Sequence, residues 1–250
     1  MISRDTIIDL ARKLQTSEIN VTREYCQHMF LRAWYQQKQA GVLWFKGGTA
    51  LRLAYKSPRF SEDLDFEHGK KTLHDFNRSD VKLIEDVLTE TVGNIQNANV
   101  AVDIEEAKST SGGYIAKIAF SLHEKRIDVL TEFSLRGSKK TSGEPIIITS
   151  DFFPNYSIVA VPRQQLVEGK LNALFTRKKP RDFFDLYYIL RAGLLPLSQR
   201  NTLRRALPLI PQDPRFFTKE LTEFLPAGFH LLLKNFPRLL KQEMSRAIGN

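Results

Sequence analysis

The chain of 250 residues is long enough for one large or two small domains with a full core, and its composition, 42% hydrophobic and 26% charged, is that of a globular protein. A net charge of +9 and a pI near 9.6 suit a polyanionic partner such as nucleic acid and disfavour a cationic ligand. A single cysteine, Cys26, excludes an internal disulfide and suits a reducing cytoplasm; no apolar run approaches a membrane span, and the opening MISRDTIIDL carries no signal-peptide core.

Residues 3–15 read as a helix capped by Ser3, with Ile7, Ile8, Ala11 and Leu14 on one face. Residues 20–38 read as a longer helix, apolar at Tyr25, Met29, Leu31, Ala33 and Trp34, with Cys26 as a small core filler. The apolar run 42–45 reads as a buried strand, and Gly47-Gly48 breaks it with a tight turn. Thr49 is placed to cap a short helix over 50–55. After the Ser57-Pro58 turn, Asp63-Leu64-Asp65-Phe66 alternates strictly. On a strand this puts both carboxylates on one face and Leu64 and Phe66 in the core.

Two carboxylates on one face repel each other, and a divalent metal relieves that repulsion by taking them as ligands. The N–H groups of a Gly-Gly turn leading into a helix suit a triphosphate, which brings its own Mg²⁺. The chemistry indicated is nucleotidyl transfer. Each feature alone has a bland reading: a Gly-Gly pair as a simple turn, an Asp-x-Asp as a solvated strand edge. Their close spacing on a strand–turn–helix–strand unit is what favours the functional one.

These stretches, Gly47-Gly48-Thr49-Ala50-Leu51 and Arg59-Phe60-Ser61-Glu62-Asp63-Leu64-Asp65-Phe66, resemble the nucleotidyltransferase superfamily typified by DNA polymerase β. Within it they are most similar to the AbiEii-like toxins, including the mycobacterial MenT toxins. The resemblance implies an α/β (α+β) fold: a polymerase-β-like core with a mixed sheet, then a helical C-terminal part. It also implies an NTP substrate, two Mg²⁺ ions, a tRNA 3′ end as acceptor and a cognate antitoxin as partner. Gly47, Gly48 and Thr49, with the flanking Lys46, Arg59 and Ser61, form the expected nucleotide-binding set.

Further along, 70–94 is helical in pattern, and His68 and His74 near the acids fit no common zinc spacing. Strands are expected over 99–108, 114–122 and 125–130, joined by turns at 109–113 and His123-Glu124. Asp128 stands between apolar neighbours on the last of these. The superfamily pattern expects a third acid on an adjacent strand, which would make Asp128 a metal ligand and catalytic acid beside Asp63 and Asp65. The competing reading is a sheet-edge acid paired with Arg126 or Lys125. The Gly/Ser/Lys-rich stretch 136–144 reads as a mobile basic loop, and 145–149 and 157–161 as short strands.

From Pro162 a helix runs to about Thr176, and a second begins near Pro180. Lys170, followed by Arg177-Lys178-Lys179-Pro180-Arg181-Asp182 and Asp185-Leu186-Tyr187, is similar to the downstream motif of the same toxins. That likeness implies Lys170 on the triphosphate and Asp182 as a second functional acid, with Asp185 structural. The alternative is a solvated lysine and an acid favoured by the helix dipole. Residues 193–250 are helical and Pro-punctuated, with Arg200, Arg204, Arg205, Lys234, Arg238, Lys241 and Arg246 giving a basic character that suits either RNA backbone or a solvated surface.

The sequence therefore predicts a nucleotidyltransferase core over 1–160 and a helical domain over 161–250. The predicted activity is a cytoplasmic Mg-dependent toxin transferring NMP to tRNA. Two alternatives stand beside it: a small-molecule nucleotidyltransferase of the aminoglycoside-modifying type, and a catalytically decayed nucleotide- or antitoxin-binding protein.

Overall fold

The computed structural model describes residues 1–69, 78–134 and 142–249. The expected helical positions 70–77, with His74, and most of the expected basic loop lie outside these residues. The chain divides into two compact units. The first comprises Met1–Lys13, Ser17–Lys56 and Phe60–Pro162; the second comprises Leu14–Thr16, Ser57–Arg59 and Arg163–Asn250.

In the first unit α1 (Arg4–Lys13) and α2 (Glu18–Trp34) precede a seven-stranded sheet. Ser3 caps α1 as expected, its Oγ accepting from Thr6 N–H at 3.1 Å. Ser17 caps α2, accepting from Asn20 N–H at 3.3 Å, so this helix starts two residues before the expected point. The remaining elements are β1 (Leu43–Lys46), α3 (Gly47–Leu53), β2 (Leu64–His68), α4 (Arg78–Asn97), β3 (Ala101–Thr110), β4 (Gly113–Leu122), β5 (Lys125–Ser134), β6 (Glu144–Ile148) and β7 (Tyr156–Ala160). The strand order is β3-β4-β5-β2-β1-β7-β6. The sheet is mixed: β2 runs parallel to β5 and β1 parallel to β7, while the other neighbours are antiparallel.

Trp34 of α2 closes one face of the sheet, its ring 5.2 Å from Phe66 of β2 and 5.3 Å from Phe133 of β5. Phe66 and Phe133 stack at 5.0 Å and Phe45 joins at 5.6 Å, so the three central strands share one aromatic core. Thirteen of the seventeen residues of α2 are buried, which forces polar side chains inside, where each needs a partner. Glu24 takes Arg52, Gln27 takes two backbone carbonyls, and His28 Nδ1 meets Tyr156 Oη at 2.7 Å.

Cys26 is fully buried on the same helix, and burial pushes its thiol pKa up. It is expected to stay silent to Ellman's reagent in the native protein and to react as one thiol in denaturant. Rapid native labelling would contradict its place in the core.

The second unit consists of α5 (Arg163–Arg177), α6 (Pro180–Arg191), α7 (Arg200–Ala206), α8 (Pro214–Phe224), α9 (His230–Leu233) and α10 (Phe236–Gly249). Proline opens α6 and α8 at the position where a missing N–H costs nothing. Phe184 of α6, Phe217 of α8 and Phe236 of α10 form its aromatic centre, with Phe217 and Phe236 rings 4.8 Å apart. Charge is segregated along the chain. Residues 163–250 hold 16 Lys and Arg against 7 Asp and Glu, whereas 1–162 hold 21 of each. The whole excess of +9 therefore belongs to the C-terminal stretch. No described helix is long and apolar enough to cross a membrane.

Candidate functional site

The glycine turn and the acidic strand meet. Lys46, the last residue of β1, is the antiparallel partner of Asp65 on β2. Gly47 follows with φ +82°, a conformation that glycine alone adopts without cost. A Cβ built on Gly47 would sit 1.8 Å from Asp65 Oδ2 and 2.6 Å from its Cγ. The absent side chain is thus the space that the Asp65 carboxylate occupies. This pairing explains the glycine more sharply than turn geometry does.

Helix α3 begins at Gly47, earlier than the expected 50–55, so Thr49 does not cap it. Thr49 is instead buried in the first turn and donates its hydroxyl to the Asp63 carbonyl at 2.5 Å. Asp63 stands one residue ahead of β2, and Asp63, Asp65 and Glu67 alternate with the buried Leu64, Phe66 and His68. Lys46 Nζ reaches Glu67 Oε2 at 3.1 Å, which neutralises the lysine expected on the phosphates. Ser61 contributes its carbonyl to Gln27 Nε2 at 2.9 Å.

For Asp128 the sequence favoured a buried third acid beside Asp63 and Asp65 over an acid paired with Arg126 or Lys125. On β5, however, Ile127, Val129, Thr131 and Phe133 face the core, and Asp128 lies on the opposite face with its side chain 40% exposed. Its oxygens are taken by Arg126 Nε and Lys117 Nζ, each at 2.9 Å, while Glu105 pairs with the same two cations. Partial burial works against ionisation, but those two cations hold the Asp128 carboxyl below its usual range. The acid level with Asp65 is Glu132, its direct partner in the parallel β2–β5 register. Residues paired in this way leave the same sheet face about 5 Å apart at the backbone. Glu132, four residues beyond Asp128, was missed because the strand was expected to end at Leu130.

In the second unit, Asp185 gathers two cations. Arg59 Nε and Nη2 donate to its two oxygens at 2.8 and 3.0 Å, and Lys170 Nζ lies 2.7 Å from Oδ2. All three side chains are buried. Burial alone would raise the Asp185 pKa, yet Arg59 and Lys170 outweigh it and hold the carboxyl down at about 2. The triad carries one positive charge in excess, with Lys170 only 9% exposed. Asp182 is engaged differently. It is 1% exposed, one oxygen accepts from the Lys179 backbone N–H at 3.0 Å, and the other pairs with Arg177 at 2.6 Å. That is the geometry of a helix-capping acid, so Asp182 is accounted for by the start of α6.

Among the described residues, no three His, Cys, Asp or Glu side chains converge to hold an ion by themselves. An ion that retains waters and takes phosphate oxygens as ligands needs only one or two carboxylates, and that is Mg²⁺ rather than zinc. Asp63 and Asp65 offer oxygen ligands alone, the donor type that such an ion takes.

The family model described as nucleotidyl transferase AbiEii toxin, type IV toxin–antitoxin system, matches residues 30–244. Two solved structures share the fold. One, a candidate nucleotidyltransferase from H. pylori, is 20% identical with a TM-score of 0.64, over 93% of this chain and 96% of its own. The other, JHP933 from Helicobacter pylori, is 19% identical with a TM-score of 0.61, over 94% of each chain. No curated protein matches the chain.

Proposed function

The chain belongs to the AbiEii family of nucleotidyl transferase toxins, and from that premise we propose that it transfers NMP from an NTP to the 3′ end of tRNA. Membership in the family implies an NTP substrate and an antitoxin partner. The α/β core with a mixed sheet agrees with it. The observation that carries the mechanistic reading is the contact between the Asp65 carboxylate and the space left by Gly47. It joins the glycine turn and the acidic strand into one constellation, which supports a phosphate site beside a cation site.

In this reading Asp63 and Asp65 would hold two Mg²⁺ ions together with the phosphate oxygens, and Glu132, level with Asp65 on β5, would serve as a base rather than as the third ligand that the sequence assigned to Asp128. Bound there, the ions would stabilise charge on the attacking and leaving oxygens of an in-line displacement. Backbone N–H groups of Gly47 and Gly48, at the start of α3, would hold the phosphates. Thr49 fixes the loop before Asp63 through its carbonyl. Lys170 is the cation that the likeness to the same toxins gives to the triphosphate, and within the second unit Asp185 ties it to Arg59. Glu132, alongside Asp65, accepts the proton of the acceptor hydroxyl. Asp182 supports the helix that carries Asp185 rather than touching substrate. The excess charge of residues 163–250 favours a polyanionic acceptor over a cationic drug.

Incubation with total tRNA, Mg²⁺ and each labelled NTP in turn tests the reading. Label from one NTP should enter tRNA. Asp65→Asn and Glu132→Gln should each lower the rate on the order of 10³-fold, as the loss of several kcal/mol of charge stabilisation implies. Asp128→Asn should remain within about threefold of wild type, since exposed ion pairs contribute little. Label entering with Glu132→Gln but not with Asp128→Asn would restore Asp128 to the site.

A further inference from the structure

Four consecutive residues lead into the acidic strand, and each is fastened to a helix of the first unit. Phe60 lies under Arg52 of α3, whose guanidinium carbon is 3.4 Å from the ring centroid. Arg52 is itself held by the Glu24 carboxylate of α2. The carbonyls of Ser61 and Glu62 accept from the two N–H bonds of one amide, Gln27 Nε2, at 2.9 and 3.0 Å. The Asp63 carbonyl accepts from Thr49, and the Glu62 side chain pairs with Arg23 at 3.1 Å. Arg23, Glu24 and Gln27 are spaced to lie on one face of α2. Gln27 is 1% exposed and lies three residues ahead of the stretch that the family model matches.

A loop has no ladder of its own to hold its backbone, and a carboxylate at its end is only as well placed as the loop. Gln27 anchors two adjacent carbonyls, and both N–H bonds of its amide are spent on them, so it fixes the direction of the chain and not merely its position. We infer that Gln27 is a positioning residue for the Asp63–Asp65 pair, acting through the backbone of 61–63 to preorganise the carboxylates for a divalent cation. The inference rests on the nucleotidyl-transfer reading above, which assigns the cation to that pair. A ligand's supporting hydrogen bonds commonly set about 10- to 100-fold in metal affinity or rate.

Gln37 provides a matched comparison. It too is buried, and its amide donates to the Val87 carbonyl at 3.1 Å and Thr91 Oγ1 at 2.7 Å, both on α4, and not to the backbone of 61–63. The test measures Mn²⁺ binding to the full chain by electron paramagnetic resonance, with NMP transfer followed in parallel. Gln27→Leu should weaken Mn²⁺ binding about tenfold and lower kcat about 10- to 100-fold, with KM for the NTP within about twofold. Gln27→Glu, equal in size but unable to donate to two carbonyls, should do the same and serves if the leucine variant does not fold. Gln37→Leu should lower the Tm but leave Mn²⁺ affinity and kcat within about twofold of wild type.

Wild-type Mn²⁺ affinity in folded Gln27→Leu or Gln27→Glu overturns the inference. So does an equal loss in Gln37→Leu, which would mark a general effect of burying a mismatched side chain. A wild type that binds Mn²⁺ with this ranking of variants but transfers nothing upholds the clamp and defeats the transfer reading. A wild type that binds no Mn²⁺ defeats the clamp.

Discussion

Gly47→Ala is expected to lower nucleotidyl transfer about 10²-fold or more and to lower the Tm. Two costs combine. At φ +82° an alanine pays roughly 1–2 kcal/mol of backbone strain. Its methyl group would also be built 1.8 Å from Asp65 Oδ2, so the carboxylate must rotate out of the place that it holds. A displacement on the order of 1 Å at a reacting centre can cost about 10²-fold by itself. Gly193 separates the two contributions, since it has φ +64° but nothing within 4 Å of a built Cβ. Gly193→Ala should cost about 1 kcal/mol in stability and leave transfer unchanged. Initial rates and calorimetry on both variants decide the matter. Transfer by Gly47→Ala within a few-fold of wild type would remove the contact from the mechanism.

Asp185→Asn is expected to have the largest effect on stability, about 3–5 kcal/mol by urea denaturation. The substitution leaves Arg59 and Lys170 buried with no anion between them, and an uncompensated buried charge costs more than the ion pair ever contributes. The same group predicts a pH dependence. Its pKa is near 2 in the folded chain against an ordinary 3.8, so its contribution, about 2 kcal/mol, is fully present above pH 4. It is lost as pH falls through 2, because the folded state must then take up a proton that it binds weakly. The wild type should therefore lose stability across that window, and Asp185→Asn should show a flatter acid limb. An asparagine variant as stable as wild type would mean that the two cations find other partners.

Much of the core was legible because its signals are local. The apolar run before Gly47-Gly48 and the alternation of Asp63-Leu64-Asp65-Phe66 specify strand, turn and strand within a span short enough for periodicity to work. Asp128 shows where such reading stops. Alternation says which residues share a face, but not which face is covered, and an acid between Ile127 and Val129 gives one pattern either way. Glu132 was hidden for a related reason: its place beside Asp65 depends on the parallel pairing of β2 with β5, which joins residues 67 positions apart. Gln27 leaves no trace in sequence, since its partners are backbone carbonyls that any residue would carry. Lys170 and Asp185 could be placed on helices, but the Arg59 that links them comes from a segment more than a hundred residues earlier.

The second unit also includes Leu14–Thr16 and Ser57–Arg59, two three-residue stretches that lie far upstream in the gene. Gln15 is bonded there, its carbonyl accepting from Ala227 N–H at 2.8 Å and its side chain from Gly228 N–H at 3.0 Å. A crossover between related genes near codon 163 would deliver the helices without Arg59 or Gln15, stranding Asp185 and Lys170 with a foreign neighbour. Recombination that respects this architecture must carry both halves together. The two halves of such chains should therefore share one genealogy.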